Sequence, residues 1–409
     1  MTTEPLIYDA GDPAVMANPF PVYARLREED PIHWSPAMKS WVITRYQDVQ
    51  SLLVGDALSV NRLVSFYKGL PGEQAETLGQ IVHYLNRWVA FRDPPEHTRM
   101  RRVMRHAFTT PAVDAMRPGV ESIVEHLIDR LGQRPPGPVD LIRDFALLVP
   151  AFVIMDMLGV PRERLDEVKA WSDDMATFIS GSRNIPDKYE RAARGCQAMA
   201  AYFNDLIEER VANPRPGFLT DLIDARDEGD RLSHDELIAT CILVLFAGHE
   251  TTTNLIGDAM IALLTHPDQL ARLKADQTLI DSAIEEVLRW DGPTNGLVRV
   301  AAHDIEIGGK TIKEGQRVFL MINAANRDAA MFPEPDRFDI TRKPNRHMTF
   351  GQGIHLCIGA RLAREEGRIA VDALVRNFPD MAIVPGTEIE WIDAMVPRGP
   401  RALPVLLRG

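Results

Sequence analysis

The sequence predicts a mainly α-helical protein with a small β portion, an α+β fold, on three observations. Apolar residues recur at helical spacing through most of residues 95–291. One stretch of that region is long and apolar enough to be a central helix, and short alternating segments are confined to the two flanks.

Along the chain, Ile32-His33-Trp34 and Trp41-Val42-Ile43-Thr44 read as β-rich pieces. Val120, Ile123, Val124, Leu127, Ile128 and Leu131 recur three and four apart, the spacing of a helix that buries one face. Leu158-Gly159 followed by Pro161 stops another helix, with glycine at the left-handed cap and proline barring continuation. Ser233 and Glu236 form a capping-box pattern, and no proline follows until Pro267. One helix of about 30 residues, on the order of 45 Å long, is expected there. It is apolar nearly all round, so it belongs at the centre. Short strands are expected at residues 297–302, 305–307 and 318–321, broken by Gly308-Gly309 and Glu314-Gly315. A helix over residues 360–378 and strand-like pieces at 382–384 and 405–407 close the chain.

With 409 residues, 45% hydrophobic and 25% charged, the chain can bury a large core, and it shows no repeat, low-complexity tract or linker. A single domain over residues 1–409 is expected. The 46 basic and 58 acidic residues leave a net charge of −12, which repels nucleic acid phosphates and argues against that class of partner. Cys196, Cys241 and Cys357 are too few and too widely spaced for a disulfide framework or a zinc ribbon, so a reducing cytoplasm is the expected setting. Residues 1–9 lack the basic start and apolar run of a signal peptide. The most apolar stretch, residues 237–247, falls far short of the roughly 20 residues a spanning helix needs. Neither export nor a membrane anchor is expected.

The segment Phe350-Gly351-Gln352-Gly353-Ile354-His355-Leu356-Cys357-Ile358-Gly359 sets a cysteine between glycines, just ahead of an amphipathic helix. Unpaired N–H groups and the positive end of the helix dipole favour a thiolate there. Gly351 and Gly353 allow backbone conformations closed to other residues, letting the loop fold tightly under a flat cofactor, and Gly359 leaves room for close approach. An isolated cysteine is more often an inert buried thiol. The ten-residue pattern decides otherwise, because it resembles the haem-binding signature of the cytochrome P450 family, in which this cysteine is the proximal iron ligand. The resemblance implies haem b held by Cys357, with Phe350, Gly351 and Gly359 in the binding loop and a long central helix over the haem. Such a thiolate donates electron density that promotes cleavage of dioxygen. Cys196 and Cys241 lack flanking glycines and read as inert.

Ala247-Gly248-His249-Glu250-Thr251-Thr252 places an acid and two hydroxyls inside the apolar helix, a costly insertion without a task. Activating dioxygen consumes two protons, and an adjacent alcohol and carboxylate can deliver them while ordering a water. Gly248 is expected to let a ligand approach the backbone, and Thr251 to bond a preceding carbonyl and open the helix locally. His249-Glu250 also begins a zinc-binding His-Glu-x-x-His pattern, but the last position is Thr253. The pattern resembles the family's oxygen-binding groove, with Ala247 and Gly248 against the cofactor and Glu250 and Thr251 as the catalytic acid–alcohol pair.

Glu286 and Arg289 lie three apart on a helix and share a face. The resemblance makes them a buried structural pair joined by an arginine from a later meander, and Pro333-Glu334-Pro335-Asp336-Arg337-Phe338 supplies Arg337 in that context. His97 and Arg101 stand four apart on the helix that follows Asp93-Pro94-Pro95. With Arg299 and His355 they resemble the family's contacts to the two haem propionates.

The chain has no Gly-x-Gly-x-x-Gly nucleotide turn and too few cysteines for an iron–sulfur cluster, so its two electrons come from elsewhere. The resemblance implies NAD(P)H as source, through a ferredoxin or flavodoxin and its reductase; Arg101, Arg102, Arg105, Arg361 and Arg364 flank the expected haem-binding helices and are expected to present a basic docking patch to an acidic carrier. The regions expected to line the substrate cavity, residues 58–88 and 175–189, include Val64, Phe66, Leu85 and Phe178, and Thr294, Asn295, Gly296, Leu297 and Val298 approach it. A small, apolar organic substrate is expected, oxidised by a monomer through hydroxylation or oxidative dealkylation. A haem-thiolate sensor has no use for a proton relay, and a peroxide-driven enzyme usually replaces the acid–alcohol pair. Both are therefore disfavoured.

Overall fold

A computed structural model describes residues 6–63, 72–105, 108–179, 185–225 and 231–408 of the chain. Its helices are α1 (Pro13–Ala17), α2 (Phe20–Glu29), α3 (Tyr46–Val54), α4 (Gly72–Leu85), α5 (Glu96–Met104), α6 (Thr110–Gly132), α7 (Leu148–Leu158), α8 (Leu165–Ile179), α9 (Lys188–Ala212), α10 (Phe218–Asp224), α11 (His234–Thr265), α12 (Pro267–Ala275), α13 (Ile280–Trp290), α14 (Ile322–Ala325) and α15 (Ala360–Asn377). The strands are short: β1 (Ile32–Ser35), β2 (Ser40–Ile43), β3 (Leu58–Ser59), β4 (Pro138–Asp140), β5 (Leu297–Ala301), β6 (Ile305–Ile307), β7 (Lys310–Ile312), β8 (Arg317–Leu320), β9 (Ala382–Ile383) and β10 (Pro404–Leu406).

The α11 helix is the axis of the helical part. Its first turn is closed by the expected box: the Ser233 hydroxyl accepts from the Glu236 N–H at 3.3 Å, and the Glu236 carboxylate accepts from the Ser233 N–H at 2.9 Å. Two of the N–H groups left over at the start of the hydrogen-bond ladder are thereby satisfied, and 32 residues run without a break. Helices α7, α9, α13 and α15 pack around it, which explains why its sequence is apolar on nearly every side. Small residues set the spacing: a Cβ at Gly257 would stand 2.8 Å from Ile142 Cδ1, and one at Gly367 on α15 would stand 3.1 Å from Leu255 Cδ2.

The other expected stops and strands fall within a residue or two of their predicted bounds. Gly159 ends α7 with φ +73°, and α6 starts on the Thr109 hydroxyl. A single π-helical turn, Ile142–Ala146, leads into α7 and left no mark in the hydrophobic spacing. Strands β3, β4 and β7 are too short to show a period, yet each is paired. A five-stranded sheet runs β1-β2-β8-β5-β3, a three-stranded one β4-β10-β9, and β6 and β7 form a hairpin. The pairing of β3 with β5, Ser59 opposite Val300, brings residues 59–63 against the strand that carries Arg299. Among the described residues no helix is long and apolar enough to cross a membrane.

Candidate active site

The cysteine loop enters α15 from a tight, glycine-dependent turn. Gly351 and Gly353 have φ of +71° and +70°, and a Cβ on Gly353 would stand 2.8 Å from the Leu53 carbonyl oxygen. The Gly351 N–H donates to Met348 O at 2.8 Å and the Cys357 N–H to Phe350 O at 2.9 Å, which closes the loop on itself. Gly359, as expected, has open space where a side chain would stand. Cys357 is the exposed cysteine of the three, yet burial pushes its thiol pKa up, opposed by the Gly359 N–H and by Arg101 and Arg364. Cys196 and Cys241, buried in the helical core, have thiols pushed up to about 12 by desolvation, which suits inert core residues. The Arg364 guanidinium lies 4.3 Å from the centroid of the Phe350 ring and holds it in place.

Halfway along α11, among mostly buried neighbours, Ala247 and Thr251 are exposed and one turn apart. They mark a single open face. Thr251 Oγ1 donates to the Ala247 carbonyl at 3.1 Å as expected, but the helix does not open there. Glu250 is turned toward α8, where burial first and the Asp173 charge second raise its carboxyl to about 7, with Lys169 opposing. His249 is buried and its Nδ1 donates to Leu245 O at 2.7 Å, so it is a satisfied core histidine. Gly248 serves packing and not ligand approach: the space its Cβ would fill is taken by Ile154 Cδ1, 2.6 Å away.

The four residues expected to hold propionates converge. The His97 and His355 rings are 4.2 Å apart, and Arg101 reaches from α5 to donate to Leu356 O beside the cysteine. Among the described residues neither ring nitrogen of buried His97 has a hydrogen-bond partner. Burial, then His97, Arg299 and Arg101, push the His355 imidazole down to about 3 against the pull of Asp93. Burial alone lowers Arg299 to about 10, with Asp93 opposing. Sequence reading missed a fifth member: Arg62, pushed down to about 9 by burial and by Arg299 and Arg317. Against these cations stands Asp93, whose oxygens are taken by the Ser59 hydroxyl and the Val60 N–H. A buried surplus of positive charge beside an accessible thiol fits a flat ligand bearing two carboxylates.

The structural pair is present, with one correction. Glu286 and Arg289 are fully buried and joined through both carboxylate oxygens at 2.8 Å. Their third member is Arg342, whose Nε lies 3.1 Å from each oxygen of Glu286; the Asp339 N–H at 2.9 Å and the Asn345 amide at 3.1 Å also donate to it. The Arg337 side chain instead turns outward to Glu334 at 3.2 Å, and only its carbonyl accepts from Arg289. Both arginines sit in one meander, and spacing alone does not tell which faces inward.

The basic face is less positive than the sequence suggests, because Arg361 pairs with Asp114 and Arg364 with Glu285, both at 2.6 Å. Burial raises the Glu285 carboxyl, but hydrogen bonds from His347 and Arg364 overrule it and hold it at about 2. Of the expected cavity residues, Leu85 and half-buried Phe178 pack in the helical core, Phe178 edge-on to Tyr189 at 5.9 Å. Leu297 and Val298 lie on β5, Thr294 bridges to Pro397, and Asn295 donates its N–H to Val396 O at 2.8 Å. A Cβ on Gly296 would stand 2.9 Å from Leu320 O. Val64 and Phe66 lie outside the described residues.

Comparison with known proteins agrees with this arrangement. The cytochrome P450 family profile matches residues 40–401. The chain is 40% identical to cytochrome P450 107B1 of Saccharopolyspora erythraea, over 94% of this chain and 93% of that one. It is also 40% identical to a vitamin D(3) 25-hydroxylase of Pseudonocardia autotrophica, over 95% and 94% of the two chains. The crystal structure of the myxobacterial cytochrome P450 CYP267B1 in complex with myristic acid superposes with a TM-score of 0.88 at 36% identity, covering 98% of each chain. On this evidence the chain belongs to the cytochrome P450 family and is a haem b monooxygenase that oxidises an organic substrate with electrons from a separate redox partner.

Proposed function

We propose that the Cys357 thiolate would hold the haem iron and that Glu250 and Thr251 deliver protons during turnover. The observation that carries this reading is the accessible Cys357 sulfur at the head of α15, with the Gly359 N–H on it and Arg101 clamped to the neighbouring Leu356 carbonyl. The haem, when bound, supplies the iron at which dioxygen is reduced and split between water and substrate. Phe350, Gly351 and Gly359 would shape the floor of its site; Ala247 would form part of the wall on α11, with Gly248 packed behind it on Ile154. His97, Arg101, Arg299 and His355 hold the propionates.

The Glu250 carboxyl, at about 7, gains and loses a proton near neutral pH, as a relay requires. Its neighbour Thr251 presents a hydroxyl on the open face of α11, anchored to Ala247 O while its oxygen accepts from a water or an acid. In this step the Thr251 hydroxyl accepts a proton from the Glu250 side as it releases its own toward the open face of α11, and Glu250 regains a proton from solvent. Glu286, Arg289 and Arg342 take no part in it and keep α13 fixed against the meander that leads into the cysteine loop.

The substrate is a small, mostly apolar organic molecule received between α11, β5 and α8, and its oxidation is a hydroxylation or an oxidative dealkylation. Electrons pass from NAD(P)H through a ferredoxin or flavodoxin and its reductase, docking near Arg101, Arg102 and Arg105. The protein works as a cytoplasmic monomer of one domain, residues 1–409. A panel of apolar organics, titrated into the haem-loaded protein and followed by the optical spin-state shift, tests the substrate reading. At least one binder is expected to shift the spectrum and be oxidised with reconstituted electron carriers. No spectral shift with any member of the panel contradicts it.

A further inference from the structure

We propose that Arg62 is an additional haem propionate ligand of this chain, sharing one carboxylate with Arg299. The inference rests on the haem reading of the Cys357 site and adds a residue from a different part of the chain.

Arg62 Nη1 donates to the Val298 carbonyl at 2.8 Å, and Arg299 Nη1 donates to the same oxygen at 2.9 Å. Two guanidinium groups are thus held no farther apart than two hydrogen bonds through one atom. Among the described residues neither forms an ion pair with a carboxylate, and each places a single hydrogen bond out of the five its donors allow. Arg62 is half-buried against the Phe91 ring, 4.8 Å from its centroid, and Phe91 is in turn stacked on Trp88 at 5.8 Å and 13°. The aromatic column removes water from one side of the guanidinium without neutralising it. A charged side chain so placed beside a like charge requires an anion that the described protein does not provide.

The chain also builds this position deliberately. Asp93, just ahead of α5, accepts hydrogen bonds from the Ser59 hydroxyl and the Val60 N–H. Pairing of β3 with β5 then sets Ser59 opposite Val300, and the next residues bring Arg62 over Val298. Asp93 is spent on positioning the loop, so the open donors of Arg62 and Arg299 converge on a carboxylate from elsewhere. A propionate has two oxygens and accepts from both forks at once.

The test is the rate of haem transfer from the loaded protein to excess apomyoglobin, for wild type, Arg62→Leu and Arg62→Lys. Each is loaded with haem b and, separately, with its dimethyl ester, whose propionates carry no charge. The expected result is haem b loss faster by about tenfold in Arg62→Leu and by a smaller factor in Arg62→Lys, with ester loss unchanged within about twofold. Equal acceleration with both cofactors overturns the proposal, since Arg62 would then only tie its loop to β5. No acceleration with either also overturns it while leaving the Cys357 site intact. A wild type that takes up no haem overturns both.

Discussion

Arg342 meets Glu286 face on, its Nε 3.1 Å from both carboxylate oxygens, at a carboxylate fully withdrawn from solvent and already bonded twice to Arg289. Removing it leaves buried charge without its full set of partners. Arg342→Ala is expected to cost about 3 kcal/mol of stability and to lower haem retention, whereas Arg337→Ala, which loses surface pairs with Glu334 and Asp339, costs under about 0.5 kcal/mol. Urea unfolding of the two variants side by side checks this. Equal losses would mean that Arg337 shares the buried role.

Gly353→Ala is a second packing test. Its φ of +70° strains any side chain by about 1–2 kcal/mol, and the new Cβ would press on Leu53 O at 2.8 Å. Expected is an expressed protein of reduced haem content. A variant with full haem occupancy and unchanged melting temperature contradicts the glycine's role in closing the loop.

The raised Glu250 carboxyl makes a prediction with a definite sign. Unfolded, it titrates near 4.5; folded, near 7, chiefly because burial disfavours its charge. Between pH 4.5 and 7 the folded protein therefore holds a proton that the unfolded chain has released, and stability falls as pH rises across that window. Glu250→Gln should flatten this fall, gaining up to about 3 kcal/mol on wild type above pH 7. Parallel pH profiles for the two proteins would contradict it.

Thr251→Ala removes the hydroxyl that stands on the open face of α11 and is bonded to Ala247 O. Electron consumption is expected to continue at a comparable rate while product falls about tenfold or more and hydrogen peroxide appears in its place. Product yield per electron unchanged from wild type would remove Thr251 from the proton path.

Elements whose residues answer to local rules were readable in the sequence. The capping box at Ser233, the left-handed stop at Gly159 and the glycines of the cysteine loop each need only their neighbours to explain them. What depended on distant partners was not. Arg342 and Arg337 look alike until the meander folds, and Gly248 suggests a ligand until Ile154 arrives from α7. Arg62 gave no local signal, since its meaning comes from Val298 and Arg299, more than two hundred residues away. Its isolation from any acidic residue nearby in sequence is the one hint available beforehand.

The most direct test of the central claim is the absorption of the reduced, carbon-monoxide-bound protein. A thiolate from Cys357 predicts a strongly red-shifted Soret band in wild type and its loss in Cys357→His, with haem still bound. A wild-type band at the ordinary histidine-ligated position, or one that stays red-shifted in Cys357→His, would contradict the assignment.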